Sequence, residues 1–526
     1  MVRPRRAAAI DAAMEAADTT VSLLSGDERL GIDEALEKYA GEFGWWQARH
    51  FTLVSLAWAL DAFHTMVTIF VERELRWRCV SPGGCSGGGP GLGICGLEPG
   101  SWEWEGGSGG STVAEWGLVC SQRYKVGLVQ SAFFAGCMLG CGIFGHLSDS
   151  FLGRKGALMV GCIVNTILGC FTAISPTYSV YLVLRILTGL CTGPMGTTAF
   201  VLATEPIGPS RRAAAGMSVF YFFSAGIVAV AALAAAFPTS WRALYVASSL
   251  PTLAFVVLVL PFLSESPRWH LIRRRPADAL RILHYIARAN SRRFPENVTL
   301  VLDCDKSAGE DGDNDVSTSI IDAIRSKLTR SRLVISVITS FFCSVVYYGL
   351  TLNAANLGTN LYLSVAVNSV SEMPAFTIAT FLMGRFGRRV LTVGTMWFSG
   401  AFCIAAAAVS SGGIGVLALA RMAFGVLGIF GIAATYNLLL VYTAELFPTT
   451  VRNTALGCVQ QAEQIGAVVA PMVVVMGGRM PFVVFGACGI IGGFLAFYLP
   501  ETSNQPLYDT MAGMEDGEKT RVDVST

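Results

Sequence analysis

Charge is scarce in this chain. Only 14% of its 526 residues are Asp, Glu, Lys or Arg, against about 25% in soluble domains, and 53% are hydrophobic. The formal net charge is +1, which leaves no electrostatic case for a nucleic-acid partner. No cleaved signal peptide is expected, because "MVRPRRAAAIDAAMEAADTT" has no uninterrupted apolar core. No nucleotide loop is present either. "GLCTGPMG" (189–196) shares only glycines with one, lacks Gly-Lys-Ser/Thr, and reads as small residues for close helix packing. The acidic "AGEDGDNDVS" (308–317) lacks the ligand spacing of a calcium loop and reads as solvated linker. No metal, nucleotide or other cofactor is expected.

What is abundant is apolar length. Twelve runs near twenty residues occur at roughly 51–72, 126–147, 156–175, 179–203, 213–236, 241–262, 333–356, 359–383, 389–410, 413–440, 453–476 and 481–499. Each can cross a hydrocarbon core of about 30 Å at about 1.5 Å per residue. In lipid the backbone must satisfy its own hydrogen bonds, so these are helices. The expected fold class is an all-α polytopic membrane protein whose twelve transmembrane helices form two six-helix repeats.

Basic residues orient the chain. Arg154, Lys155, Arg211, Arg212, Arg385, Arg388, Arg389 and Arg452 fall in loops on one side, whereas the short loops opposite carry only Arg479. The basic side is expected to be cytosolic, with both termini. The expected organisation is a cytoplasmic segment 1–50, a bundle 51–263 with an extracytosolic loop 73–125, a cytoplasmic linker 264–332, a bundle 333–500 and a tail 501–526. Four of the fourteen cysteines, Cys79, Cys85, Cys95 and Cys120, cluster in the glycine-rich outer loop. In an oxidising compartment they suggest two disulfides, with three pairings open.

Motifs recur in the two halves. "GRKG" (153–156) is matched by "GRFGRR" (384–389), "RILTG" (185–189) by "RMAFG" (421–425), and "ATEPIGPSRR" by "TAELFPTTVR". "LSESPRW" and "LPETSNQP" close the sixth and twelfth runs. Four matches in the same order indicate duplication, the architecture of a secondary transporter. Taken with "STVAEWGLVC", "GHLSDSFLGRKG", "YYGLTLNAANLGTNLYLS" and "YTAELFPTTVRN", this set resembles the major facilitator superfamily. Within it the chain is similar to the organic cation/carnitine transporter family. "IDEALEKYAGEFGWWQ" is most like its plant members. The resemblance covers about residues 30–510 and implies a transporter rather than an enzyme.

Ionisable residues inside a membrane run mark function or pairing. Asp61 lies about ten residues into the first run, with His64, Thr65 and Thr68 at i+3, i+4 and i+7, so the four share a face. Asp61 is a candidate for a cationic group or a proton, and a histidine partner would answer to pH near neutrality. The resemblance implies a cavity role for Asp61, for Glu372 before Pro374, and for Tyr347, while His64 stands where glutamine is usual. Glu463 and Gln464 mark the eleventh run. Cation-carrying relatives tend to have aspartate at the Gln464 position and carnitine or anion relatives arginine, so either Glu463 supplies the charge or selectivity has shifted. Tyr221 and neighbouring aromatics could face an ammonium group, and Asn353 and Asn356 could line the same cavity. Asp149 with Arg154, Glu205 with Arg212, Arg388, and Glu445 with Arg452 are expected gates.

The reading is a carrier of small organic cations, carnitine- or polyamine-like, with a coupling proton or sodium ion open, in the plasma or vacuolar membrane. A proton-coupled porter for a neutral or anionic solute such as a sugar, and a non-transporting nutrient sensor, are the alternatives.

Overall fold

The computed structural model describes residues 28–80, 94–97, 100–295, 297–301, 326–354, 360–409, 416–503 and Met514. Twelve long helices carry the architecture among them. The first six are α1 (Trp45–Met66, prolonged by Thr68–Val71), α2 (Tyr124–Leu147), α3 (Gly153–Ala173), α4 (Tyr178–Thr204), α5 (Pro209–Ala236) and α6 (Trp241–Leu258). The second six are α7 (Lys327–Leu352), α8 (Leu361–Phe386), α9 (Arg388–Ala408), α10 (Val416–Leu446), α11 (Thr449–Val475) and α12 (Met480–Ala496). Ten helical runs are long and apolar enough to cross a membrane, one of them the 54-residue run Cys120–Ala173 that holds both α2 and α3. Met480–Ala496 is apolar and shorter. The polar run expected at 359–383 is helical as α8.

Side chains set several helix starts. Thr177, Ser240 and Asn360 each accept a backbone N–H of the first turn of α4, α6 and α8. Those bonds satisfy donors that lipid cannot. Within each half the helices pack closely. In the first, α2 lies on α4, α1 on α4 and α5, and α3 on α4 and α6; in the second, α7 lies on α11, α12 and α10, and α9 on α10 and α12. The halves join along two seams, α2 with α11 and α5 with α8.

The α2–α4 contact explains "GLCTGPMG". A Cβ on Gly189 would stand 2.0 Å from the Phe133 carbonyl oxygen, and one on Gly140 2.0 Å from that of Leu190. The two backbones touch where these glycines lie, so this is a packing motif.

Two smaller layers cover the bundle ends. At the end bearing the linker, Glu28–Leu30 pairs in parallel with Val298–Leu300. Leu30, Leu36, Trp46, Leu271, Leu283 and Ile286 form an apolar core beneath that ribbon. At the opposite, loop end, Trp77–Cys79 pairs antiparallel with Trp102–Trp104. Cys95 bonds Cys120, and Cys79 is disulfide-bonded as well. Cys85 lies outside the described residues. The short helix Thr112–Trp116 is held down by Glu115, which accepts 2.8 Å bonds from both Arg242 terminal nitrogens and a 2.7 Å bond from Trp241.

Gly189→Ala should therefore destabilise the protein by about 1–3 kcal/mol, the usual scale of overpacking. Gly142→Ala, whose added Cβ would meet nothing within 4 Å, should be neutral or mildly stabilising. Thermal unfolding of the two variants in one detergent checks the contrast.

Candidate functional site

Three carboxylates converge on an aromatic cluster midway along the helices. Glu372 of α8 is fully buried. Its Oε2 accepts from Tyr347 of α7 at 3.1 Å and from Ser224 of α5 at 2.9 Å, while Oε1 is buried with no partner. Asp61 of α1 is half-buried, accepts from Thr65 Oγ1 at 3.2 Å, and lies against Gly196 of α4. Glu463 of α11 is half-buried, and its backbone carbonyl accepts from Ser344 at 2.5 Å. Among the described residues no Lys, Arg or His lies within salt-bridge distance of any of the three.

Tyrosines fill the space between them. Tyr347 stacks on Tyr436 with centroids 4.9 Å apart, and Tyr348 stands 5.3 Å from Tyr347 and 6.3 Å from Tyr436. Tyr348 also reaches Phe134 of α2 at 4.9 Å, and Phe220 of α5 reaches Tyr436 at 6.4 Å and Trp58 of α1 at 5.4 Å. The rings thus span both halves. Among the described residues no Lys or Arg stands over these three tyrosines, and aromatic faces attract ammonium groups.

Not every expected site residue joins this cluster. His64 turns away from Asp61: its Nε2 lies 3.4 Å from Thr252 Oγ1 of α6 and its ring abuts Gly169 of α3. The shared-face expectation thus needs correcting at His64, whose ring packs inside the first half. The Tyr221 hydroxyl bonds Thr377 of α8 at 2.6 Å on the α5–α8 seam. Gln464 is half-buried beside Glu463, and Asn353 is buried at the end of α7. Asn356 lies outside the described residues.

One central residue escaped the sequence reading. Arg185 is fully buried, donates to the His64 carbonyl and to Gln130, both at 3.2 Å, and lies 4.1 Å over the Phe133 ring. Its signal was an arginine inside the apolar run that carries "RILTG". Gln130 also accepts from Thr68 at 2.8 Å and donates to the Thr65 carbonyl at 3.0 Å. Thr68 and Gln130 line a cavity of about 630 Å³ at the loop end, shared with Glu72, Tyr362 and Pro471.

Residues 107–512 match the model of the family described as "Sugar (and other) transporter". The chain belongs to that family. Within it, the chain groups with the organic cation/carnitine transporters. It is 58% identical to "Organic cation/carnitine transporter 4" of Arabidopsis thaliana over 94% of this chain and 93% of that one. It is 36% identical to "Solute carrier family 22 member 15-like" of Xenopus laevis, over 77% and 82% of the two chains. The partially occluded inward-open structure of the xylose transporter XylE from E. coli superposes with a TM-score of 0.63, covering 88% of this chain and 100% of that one. At 16% identity that likeness shows the fold, which is the major facilitator fold.

The repeated motifs of this transporter build two equivalent ion-pair clusters at the linker end. Arg154 pairs with Asp149 at 3.0 Å and with Glu205 at 3.5 Å; Arg388 pairs with Glu445 at 2.9 Å. In each half a further carboxylate caps the next helix. Glu265 accepts the Arg154 backbone N–H at 3.0 Å, and Glu501 that of Arg388 at 2.8 Å. These are the glutamates of "LSESPRW" and "LPETSNQP". Gly153 and Gly387 have φ of +75° and +85°, and a Cβ on either would strike that carboxylate.

The expected pairs Glu205–Arg212 and Glu445–Arg452 are not formed. Arg212 donates to the Ile207 carbonyl and, at 2.5 Å, to Asp33, which Arg268 also holds. Arg452 donates to the Phe447 carbonyl, and its second terminal nitrogen is buried with no partner. The reason is local: Arg154 and Arg388 already occupy the two glutamates. Burial pushes the Asp33 carboxyl up, but hydrogen bonds from Arg212 and Arg268 outweigh it and hold the group below its ordinary value.

A carboxyl lowered in the folded state stabilises above its unfolded value and loses that contribution as pH falls through the folded one. Hydrogen exchange should find residues 28–44 protected equally at neutral and mildly acidic pH, with protection falling below about pH 4. Asp33→Asn should weaken protection already at neutral pH and shrink the acid-dependent step, leaving the part that Glu28 contributes through Lys38 and Tyr39.

Proposed function

We propose that this chain carries small organic cations, carnitine- or polyamine-like, across the membrane by alternating access. The observation that carries the reading is the set Asp61, Glu372 and Glu463: buried or half-buried carboxylates around three tyrosines, without a basic partner among the described residues. A carboxylate in so apolar a setting is costly unless something compensates its charge. A cargo ammonium group does so, and the tyrosine faces add about 0.5–2 kcal/mol of cation–π attraction. Glu463 supplies the acidic charge of α11, so the uncharged Gln464 does not leave that helix without one.

The names of the relatives agree with this cargo. Basic residues of the linker-end loops favour a cytosolic linker and termini, in a plasma or vacuolar membrane. The loop-end cavity then opens on the opposite side, and a monovalent cation drawn inward gains about 2.3 kcal/mol per 100 mV. A coupling proton or sodium ion would meet the carboxylates left unpaired by the cargo. The linker-end clusters around Arg154 and Arg388, each within one half, would act in gating by bracing the helix ends that separate when the halves rock.

Uptake of radiolabelled tetraethylammonium into proteoliposomes tests the reading. Saturable, voltage-driven uptake is expected, reduced at least about tenfold by Asp61→Asn or Glu372→Gln, the equivalent of about 1.4 kcal/mol. Solute accumulation that follows pH and ignores both carboxylates would point to a neutral-solute porter. Binding without flux would point to a sensor.

A further inference from the structure

The α5–α8 seam is a ladder of side-chain contacts in antiparallel register. Its central rung is the hydrogen bond from Ser224 to Glu372 Oε2, 2.9 Å long. About one turn toward the linker end, the hydroxyls of Tyr221 and Thr377 lie 2.6 Å apart, and the Tyr221 ring meets Phe376 edge-on at 5.8 Å. A turn farther, Thr380 Oγ1 reaches the Met217 sulfur at 3.9 Å. The charged member of these rungs is Glu372, which also faces the tyrosine cluster.

That carboxylate is bonded unevenly. Oε2 takes one bond from each half, Ser224 from the first and Tyr347 from the second, and Oε1 is buried with none. A bare carboxylate oxygen in a desolvated site is expensive, so an arriving cation has its largest gain there. A cation held by the rings would draw Glu372 toward them and lengthen its bond to Ser224, while Tyr347 stands on the same half as Glu372.

We propose that the Ser224–Glu372 hydrogen bond couples cation binding to separation of α5 from α8 at the linker end. The inference rests on the cation-carrier reading and adds to it a positioning residue, Ser224, which touches Glu372 rather than cargo. The Tyr221–Thr377 and Met217–Thr380 rungs follow the central one, because they lie on the same two helices in the same register. Ligand-induced motion needs a differential interaction with the two states, and this bond supplies it.

The test uses the full chain with a protease site placed in residues 302–325 and the pair Met217→Cys and Thr380→Cys. A bifunctional methanethiosulfonate cross-links the pair, and the fraction of halves still joined after cleavage is read. The chain without the engineered pair gives the background from native cysteines. With Ser224 present, saturating tetraethylammonium should slow cross-linking about tenfold, the scale of one hydrogen bond to a charged group. Ser224→Thr, which keeps the hydroxyl, should retain that response. Ser224→Ala should still bind radiolabelled tetraethylammonium, but cross-link slowly whether or not the cation is present. A Ser224→Ala chain with the full cation-dependent change would overturn the coupling. Failure of the underlying reading would show separately, as undiminished tetraethylammonium binding by Glu372→Gln, and would overturn the proposal with it.

Discussion

A membrane interior does not tolerate an uncompensated charge, and that constraint organises the whole molecule. Where a charge is structural, the chain supplies its partner. Arg154 is met by Asp149 and Glu205, Arg388 by Glu445, and Arg242 by Glu115. Arg185, buried in α4, is met by a carbonyl, an amide and the face of Phe133. Among the described residues Asp61 and Glu372 likewise have no charged partner, only hydroxyl donors, and on the proposed reading the missing charge belongs to the cargo.

The position of the three carboxylates matters as much as their charge. They come from α1, α8 and α11, and the rings between them come from α1, α2, α5, α7 and α10. On the proposed reading, a cation held there would touch both halves at once. Glu372 shows the consequence most directly, because its two hydrogen-bond donors stand on opposite sides of the seam. The close glycine contacts of α2 with α4 bring two backbones of the first half into direct contact.

Much of the fold was legible in the sequence, because apolar length and repeated motifs are one-dimensional signals. The duplication found in "LSESPRW" and "LPETSNQP" reappears as Glu265 and Glu501 capping equivalent helices. Asp61 and Glu372 were legible as charges where charges are costly. Residues whose role depends on which way a helix is turned were not. His64 follows Asp61 by three positions, yet its ring packs toward α3 and α6. Tyr221 counted as one aromatic among many until its bond to Thr377 placed it on the seam. Arg212 found a partner distant in sequence instead of Glu205, since Asp33 reaches it only through the folded linker-end layer.

The central claim is that cargo charge, rather than cargo shape, balances the carboxylates. Equilibrium binding of choline and of 3,3-dimethylbutan-1-ol, its neutral isostere, to the purified transporter in nanodiscs tests it most directly. The account predicts that choline binds at least about a hundredfold more tightly, about 2.8 kcal/mol, and that neutralising Glu372 removes most of the difference. Equal affinity for the two compounds would contradict it.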